Sequence, residues 1–132
     1  MLKVVIVTGS RRWRDRRLIS DRLLLHVSGG ENVLLIHGDA EGADRLAGRV
    51  GKAYGMMVTP MPADWDRLGD EAGPVRNDWM LQVGLLYQRA GAELFVEAFP
   101  LPNSVGTWQM IDICRKAGVE PHITEIGDAE ED

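Results

Sequence analysis

The sequence predicts an α/β fold: a doubly wound parallel sheet of five strands in the order 3-2-1-4-5, with helices on both faces. Three observations lead there. Apolar runs rich in β-branched or aromatic residues, at 4–7, 33–36 and 94–96, suit strands covered on both faces. Segments with the period of an amphipathic helix separate them. Small, glycine-containing turns follow the runs, at 9–11, 37–44 and 103–107. A doubly wound path puts the topological switch point between the first and fourth strands, where open sheets of this kind bind ligands.

Taken in order, Val4, Val5, Ile6 and Val7 form the first strand, which runs into the turn Gly9-Ser10-Arg11. Residues 11–17 carry five arginines around Trp13. Asp15 suits a helix N-cap, and Ile19, Leu23 and Val27 recur at four-residue spacing until Gly29-Gly30. Residues 33–36 form the second strand, and the helix after it places Ala43, Leu46, Ala47, Val50 and Tyr54 on one face, with Gly55 as its stop. Residues 56–61 form a third strand, weakened by Pro60 and Pro62.

Residues 63–73 show no clear period and read as a long ordered loop. A helix follows with Pro74 in its first turn, sharing Val75, Trp79, Val83, Leu86, Tyr87 and Ala90 on one face. Residues 94–96 are the fourth strand. Residues 99–104 are a loop, and the helix from Val105 turns Trp108, Ile111 and Cys114 inward. His122, Ile123 and Thr124 form the fifth strand. One domain spans residues 1–126, and the acidic tail 127–132 is expected to be disordered.

Composition narrows the function. With 132 residues and 45% hydrophobic content, the chain can bury a real core. A formal charge of -5 gives no bulk electrostatic reason to expect duplex DNA or an anionic membrane as partner. Cys114 is the only cysteine, which excludes a disulfide framework and a cysteine-based zinc site. The N-terminal apolar run is too short for a signal peptide or membrane span, so a cytoplasmic protein is expected.

Four patterns, in order along the β-α repeat, carry a resemblance. They are Thr8-Gly9-Ser10-Arg11, then His37-Gly38-x-Ala40-x-Gly42-Ala43-Asp44, then Ala63-Asp64-Trp65 leading to Ala72-Gly73-Pro74-x-Arg76-Asn77-x-x-Met80, and Phe99-Pro100 leading to Gly106-Thr107. Together they resemble the YspA/YpsA-related branch of the SLOG superfamily, named for the Smf/DprA and LOG proteins, whose members occur in bacteria and their phages. The resemblance implies a Rossmann-like domain that binds a nucleotide or a nucleotide-derived ligand. LOG relatives hydrolyse the N-glycosidic bond of nucleoside monophosphates, other relatives sense signalling nucleotides, and the DprA group binds single-stranded DNA.

The candidate ligand residues are Gly9, Ser10, Arg11, Gly38, Gly42, Asp44, Arg76, Asn77, Ser104, Gly106 and Thr107. Gly9, Ser10 and Arg11 suit a phosphate-facing turn, because a guanidinium can grip phosphate with two hydrogen bonds. The alternative for Arg11 is a solvated surface arginine. Gly42 would allow close backbone approach at a helix start. Asp39, Glu41 and Asp44 would repel bare phosphate but suit ribose hydroxyls or base amino groups. For Asp44 the alternative is a favourable charge in the first helical turn. Arg76 and Asn77 resemble the Arg-Lys start of a LOG helix, with Asn77 in place of Lys. Gly106 and Thr107 match the Gly-Thr of the LOG motif Gly-Gly-x-Gly-Thr-x-x-Glu. Its acidic position is Met110 here, and a thioether can neither stabilise an oxocarbenium-like state nor activate water.

Binding or sensing of a nucleotide is therefore the leading expectation. A LOG-type hydrolase using Asp39, Asp44 or Asp64, with Asp44 and Arg76 as its catalytic candidates, is the alternative. A single-stranded nucleic-acid module using the arginine-rich turn and Trp13 is a further one. No resident metal is expected, although magnesium bridging carboxylates and phosphate stays open. A base could stack on Trp65, or Trp65 could anchor its loop. His37 reads as structural, and His26 and His122 have nothing to recommend them. The apolar surface around Trp79, Leu85, Leu86 and Tyr87 exceeds what one core needs and allows a homodimer.

Overall fold

The computed structural model describes residues 1–126. The tail expected to be disordered, 127–132, lies outside the described residues. Five parallel strands, β1 (Leu2–Gly9), β2 (Asn32–His37), β3 (Met57–Pro60), β4 (Glu93–Phe99) and β5 (His122–Ile123), lie in the order β3-β2-β1-β4-β5. The expected order is thus the observed one. The helices are α1 (Arg16–Val27), α2 (Ala43–Ala53), α3 (Trp65–Leu68), α4 (Ala72–Arg89) and α5 (Val105–Lys116).

The central strand divides the core by alternation. Val5 and Val7 face α1 and α2, packing with Ile19, Leu23, Ala47 and Val50. Val4 and Ile6 face α4 and α5, packing with Met80, Leu81, Met110 and Cys114. A strand with both faces covered needs apolar residues at every position, which is why the run is unbroken. Asp15 caps α1 by accepting from the Leu18 N–H at 3.0 Å. The Tyr54 and Ser20 hydroxyls hydrogen-bond, tying α2 to α1. Among the described residues no helix is long and apolar enough to cross a membrane.

Two expectations are corrected. Residues 63–73 are not a loop: α3 and a 3-10 turn at Gly69–Glu71 lead directly into α4. Asp64 makes this possible by accepting from the Arg67 N–H at 3.2 Å, and a single short turn is too brief to show a hydrophobic period. Most of the apolar face read for α4 points outward, and of its residues Val83 packs against the core. Trp79 is 59% exposed, and Val75, Leu86 and Tyr87 are exposed with it. The buried face is Gly73, Asn77, Met80, Leu81 and Gly84. The reason is clearance. A Cβ on Gly84 would lie 2.9 Å from both Ile6 and Leu94, so the face that carries this glycine is the one that can approach the sheet closely. Trp108, read as inward, is only partly buried, while Ile111 and Cys114 are inward as expected.

One buried charge had no signal in the sequence. Glu97 on β4 is 1% exposed. It accepts from Arg22 Nε and Nη2 at 3.0 and 3.1 Å and pairs with His26 Nε2 at 2.7 Å, with His122 Nδ1 at 3.4 Å. His26 and His122 therefore have a structural partner. Burial pushes the Glu97 carboxyl up, but the hydrogen bonds from His26 and Arg22 outweigh it and hold it below the ordinary carboxylate range. A lowered folded value contributes stability above the unfolded pKa and loses it as pH falls through the folded one. Glu97→Ala should cost on the order of 3 kcal/mol at pH 7, because it strands Arg22 and His26. Urea denaturation should show that cost shrinking as pH drops below about 4.

Candidate functional site

The turns after β1 and β4 meet at the switch point. The Ser10 N–H donates to the Phe99 carbonyl at 3.0 Å, and the Ser10 carbonyl accepts from Trp13 and Ala43 N–H groups at 3.2 and 3.1 Å. A cavity of about 610 Å³ opens at this edge. Of the candidates, Gly9, Ser10, Arg11, Asp44, Arg76, Asn77, Ser104, Gly106 and Thr107 line it.

Gly38 and Gly42 do not line the cavity but support it. Gly42 has φ of 80°, and a Cβ there would collide with the Ser10 and Arg11 carbonyl oxygens. The close approach it permits is between two turns of the chain. A Cβ on Gly38 would collide with the Arg76 guanidinium and lie 2.9 Å from the Asp44 carboxylate. Gly38 is the bare patch on which both charged groups rest.

Asp44 is 4% exposed and stands in the first turn of α2. Its Oδ2 accepts from the Gly38 and Ala40 N–H groups at 3.1 and 3.3 Å. Its Oδ1 is buried with no hydrogen-bond partner. Burial is the largest influence on its acidity and pushes the carboxyl up to about 6, against the pull of Arg76 and the two backbone N–H groups. Arg76 is half-buried, and burial lowers its guanidinium from its usual value. Its Nη1 donates to the Gly38 carbonyl at 2.5 Å and its Nε to Asn77 Oδ1 at 2.9 Å.

Asn77 uses its amide within the protein, donating to the Gly106 carbonyl at 3.2 Å and to Gln109 Oε1 at 2.8 Å. It locks α4 to the start of α5. The Ser104 hydroxyl accepts from the Leu101 N–H at 2.9 Å and closes the turn before α5. The first turn of α5 has no side-chain cap and faces the cavity through Gly106 and Thr107. Such an end presents N–H groups and a partial positive charge.

Other expectations fall outside the wall. Neither Asp39 nor Asp64 lines the cavity, which leaves Asp44 alone among the three carboxylates considered for hydrolysis. Met110 is fully buried in the core, so the position acidic in LOG relatives does not face the cavity. Trp13 is 1% exposed and packs edge-on against Phe99, which removes it as a stacking surface for nucleic acid. His37 is buried and accepts from the Asp39 N–H at 2.9 Å, with its pKa lowered by burial. Asp70, Leu101 and Gln109 line the cavity without having been singled out. Gln109 had a signal: it lies three residues after Gly106, on the same helical face.

A carboxyl whose folded pKa is raised holds its proton through a window where the unfolded chain has released it. Stability therefore falls as pH rises from about 4 to about 6 and stays lower above that. Asp44→Asn should make the protein more stable at pH 8, by on the order of 1–2 kcal/mol. Thermal melts should show the difference closing toward pH 4.

Comparison with known proteins fits this architecture. The model of the YspA, cpYpsA-related SLOG family matches residues 3–68. The chain is similar to the Gene 61 protein of Mycobacterium phage D29, with 39% identity over 125 residues, covering 89% of this chain and 93% of that one. It is also similar to the X-ray structure of DNA processing protein A (DprA) from Streptococcus pneumoniae, with a TM-score of 0.46 and 15% identity. That match covers 92% of this chain and spans only 58% of the longer one. The matched stretch holds β1, β2, their turns and Asp44, and the phage relative extends the likeness to nearly the whole length: the chain belongs to the YspA, cpYpsA-related SLOG family.

Proposed function

We propose that the cavity binds a nucleotide or nucleotide-derived small molecule, as a binder or sensor. The observation that carries this is a cavity whose wall brings together Arg11, Asp44, Arg76 and the uncapped start of α5. A carboxylate accepts hydrogen bonds only, which suits a ligand hydroxyl or amino group at the Asp44 end. Phosphate oxygens match the other end, where the α5 N–H groups, the Thr107 and Ser10 hydroxyls and the Arg11 guanidinium supply donors. One molecule bearing phosphate at one end and ribose or base at the other meets both demands. A magnesium ion would enter with those phosphates, since among the described residues no three His, Cys, Asp or Glu side chains lie close enough to hold one.

A second reading has one observation in its favour. A carboxyl with a pKa near 6 can exchange a proton close to neutral pH. Asp44 could then take a proton from a water that attacks the anomeric carbon of a nucleoside monophosphate as the bond to the base breaks, and return that proton to the departing base, leaving ribose 5-phosphate. Met110 argues against it, because no second carboxylate stands where LOG relatives have one. The stripe of Val75, Trp79, Leu86 and Tyr87 outside α4 supports self-association as a homodimer.

Two experiments test these readings. Saturating nucleoside mono-, di- or triphosphate should raise Tm by about 3 °C or more, and Asp44→Asn and Arg76→Ala should each remove the shift. No shift with any nucleotide at millimolar concentration would sink the binding reading. Free base released from a nucleoside monophosphate, and lost in Asp44→Asn, would make the hydrolase the better one. In light scattering after size exclusion, Trp79→Glu should convert a dimer to monomer without altering the ligand shift; an unchanged mass counts against that surface.

A further inference from the structure

Among the described residues, Trp65 is the one large aromatic side chain on the wall of the cavity, and it is 45% exposed. Leaving indole surface in water forfeits hydrophobic stabilisation, and three features hold it there rather than letting it fold away. Asp64 caps the single turn of α3 that carries it. Gly73, at the start of α4, lies against the ring, where a Cβ would sit 3.2 Å from Cη2. The Arg11 guanidinium stands 5.1 Å from the ring centroid. Trp79 offers a contrast: it is more exposed but lies outside the cavity, on the outer face of α4. Pro74, Leu101 and Val105 also line the cavity, as do the charged Asp44 and Arg76. Arg11 links the two kinds of group: it stands by the indole and its charge is felt at Arg76.

We propose that Trp65 is an aromatic subsite on which the planar heteroaromatic ring of the ligand stacks, so that the site selects a whole nucleotide over a sugar phosphate. This rests on the nucleotide reading above and adds where the base goes. Every nucleobase has a π face, so Trp65 confers affinity for a base without choosing among bases. Arg11, held against the indole, is placed to bridge from the stacked ring to the phosphate.

The test compares ribose 5-phosphate with AMP, GMP, CMP and UMP by isothermal titration calorimetry on the wild-type chain, Trp65→Ala and Trp65→Phe. Circular dichroism and Tm establish that each variant is folded. The wild type should bind at least one nucleotide about 10-fold or more tighter than ribose 5-phosphate. Trp65→Ala should weaken nucleotides about 10-fold and leave ribose 5-phosphate unchanged, while Trp65→Phe keeps most of the preference. Nucleotides that bind no tighter than ribose 5-phosphate, or that bind equally to Trp65→Ala, overturn the subsite and leave the nucleotide reading intact. An equal loss of both ligands in folded Trp65→Ala makes Trp65 a structural prop and overturns the subsite too. Failure of every compound to bind the wild type overturns the nucleotide reading, and the subsite with it.

Discussion

The backbone of Ser10 is the joint on which the edge of the sheet depends. Its N–H reaches the end of β4 at Phe99, and its carbonyl receives the start of α2 at Ala43 and the turn at Trp13. A residue at the end of a parallel strand has lost its ladder, so its polar groups need other partners. Here those partners are the neighbouring turns. The arrangement requires close backbone packing, which explains Gly9 against Ala43 and Phe99, and Gly42 against Ser10 and Arg11. Trp13, buried against Phe99, seals the joint from beneath.

With the turns joined, the charged groups have little freedom. Asp44 sits where α2 begins, so its carboxylate receives two backbone N–H groups on one oxygen while the other points away unbonded. Arg76 comes from α4 across the sheet edge and rests on Gly38 beside it. Asn77 then braces α4 against α5. The protein tolerates a buried, half-satisfied carboxylate next to a half-buried guanidinium. Such groups lower folding stability and tend to cluster at functional sites.

Legibility in the sequence followed the physics of each element. The strands of the central sheet were readable because two covered faces demand unbroken apolar runs. Asp15 was readable as a cap because its bond is local. The packing face of α4 was not, because two faces of that helix carry apolar residues and only the clearance at Gly84 chooses between them. Glu97 was hidden for the opposite reason: its partners Arg22, His26 and His122 lie on other elements. Nine of the named site residues line one cavity, since the turns and helix starts that carry them all follow the C-terminal ends of parallel strands.

By itself the sequence determined the order of the elements, the parallel sheet and the edge at which the glycine turns gather. Those follow from hydrophobic period and crossover handedness, which act along the chain. Only the tertiary structure decided what each turn residue does. Gly38 and Gly42 became supports, Met110 went into the core, and Asp44 was left with a buried oxygen that has no hydrogen-bond donor. Burial and hydrogen-bond satisfaction are properties of neighbours distant in sequence, and no local pattern encodes them.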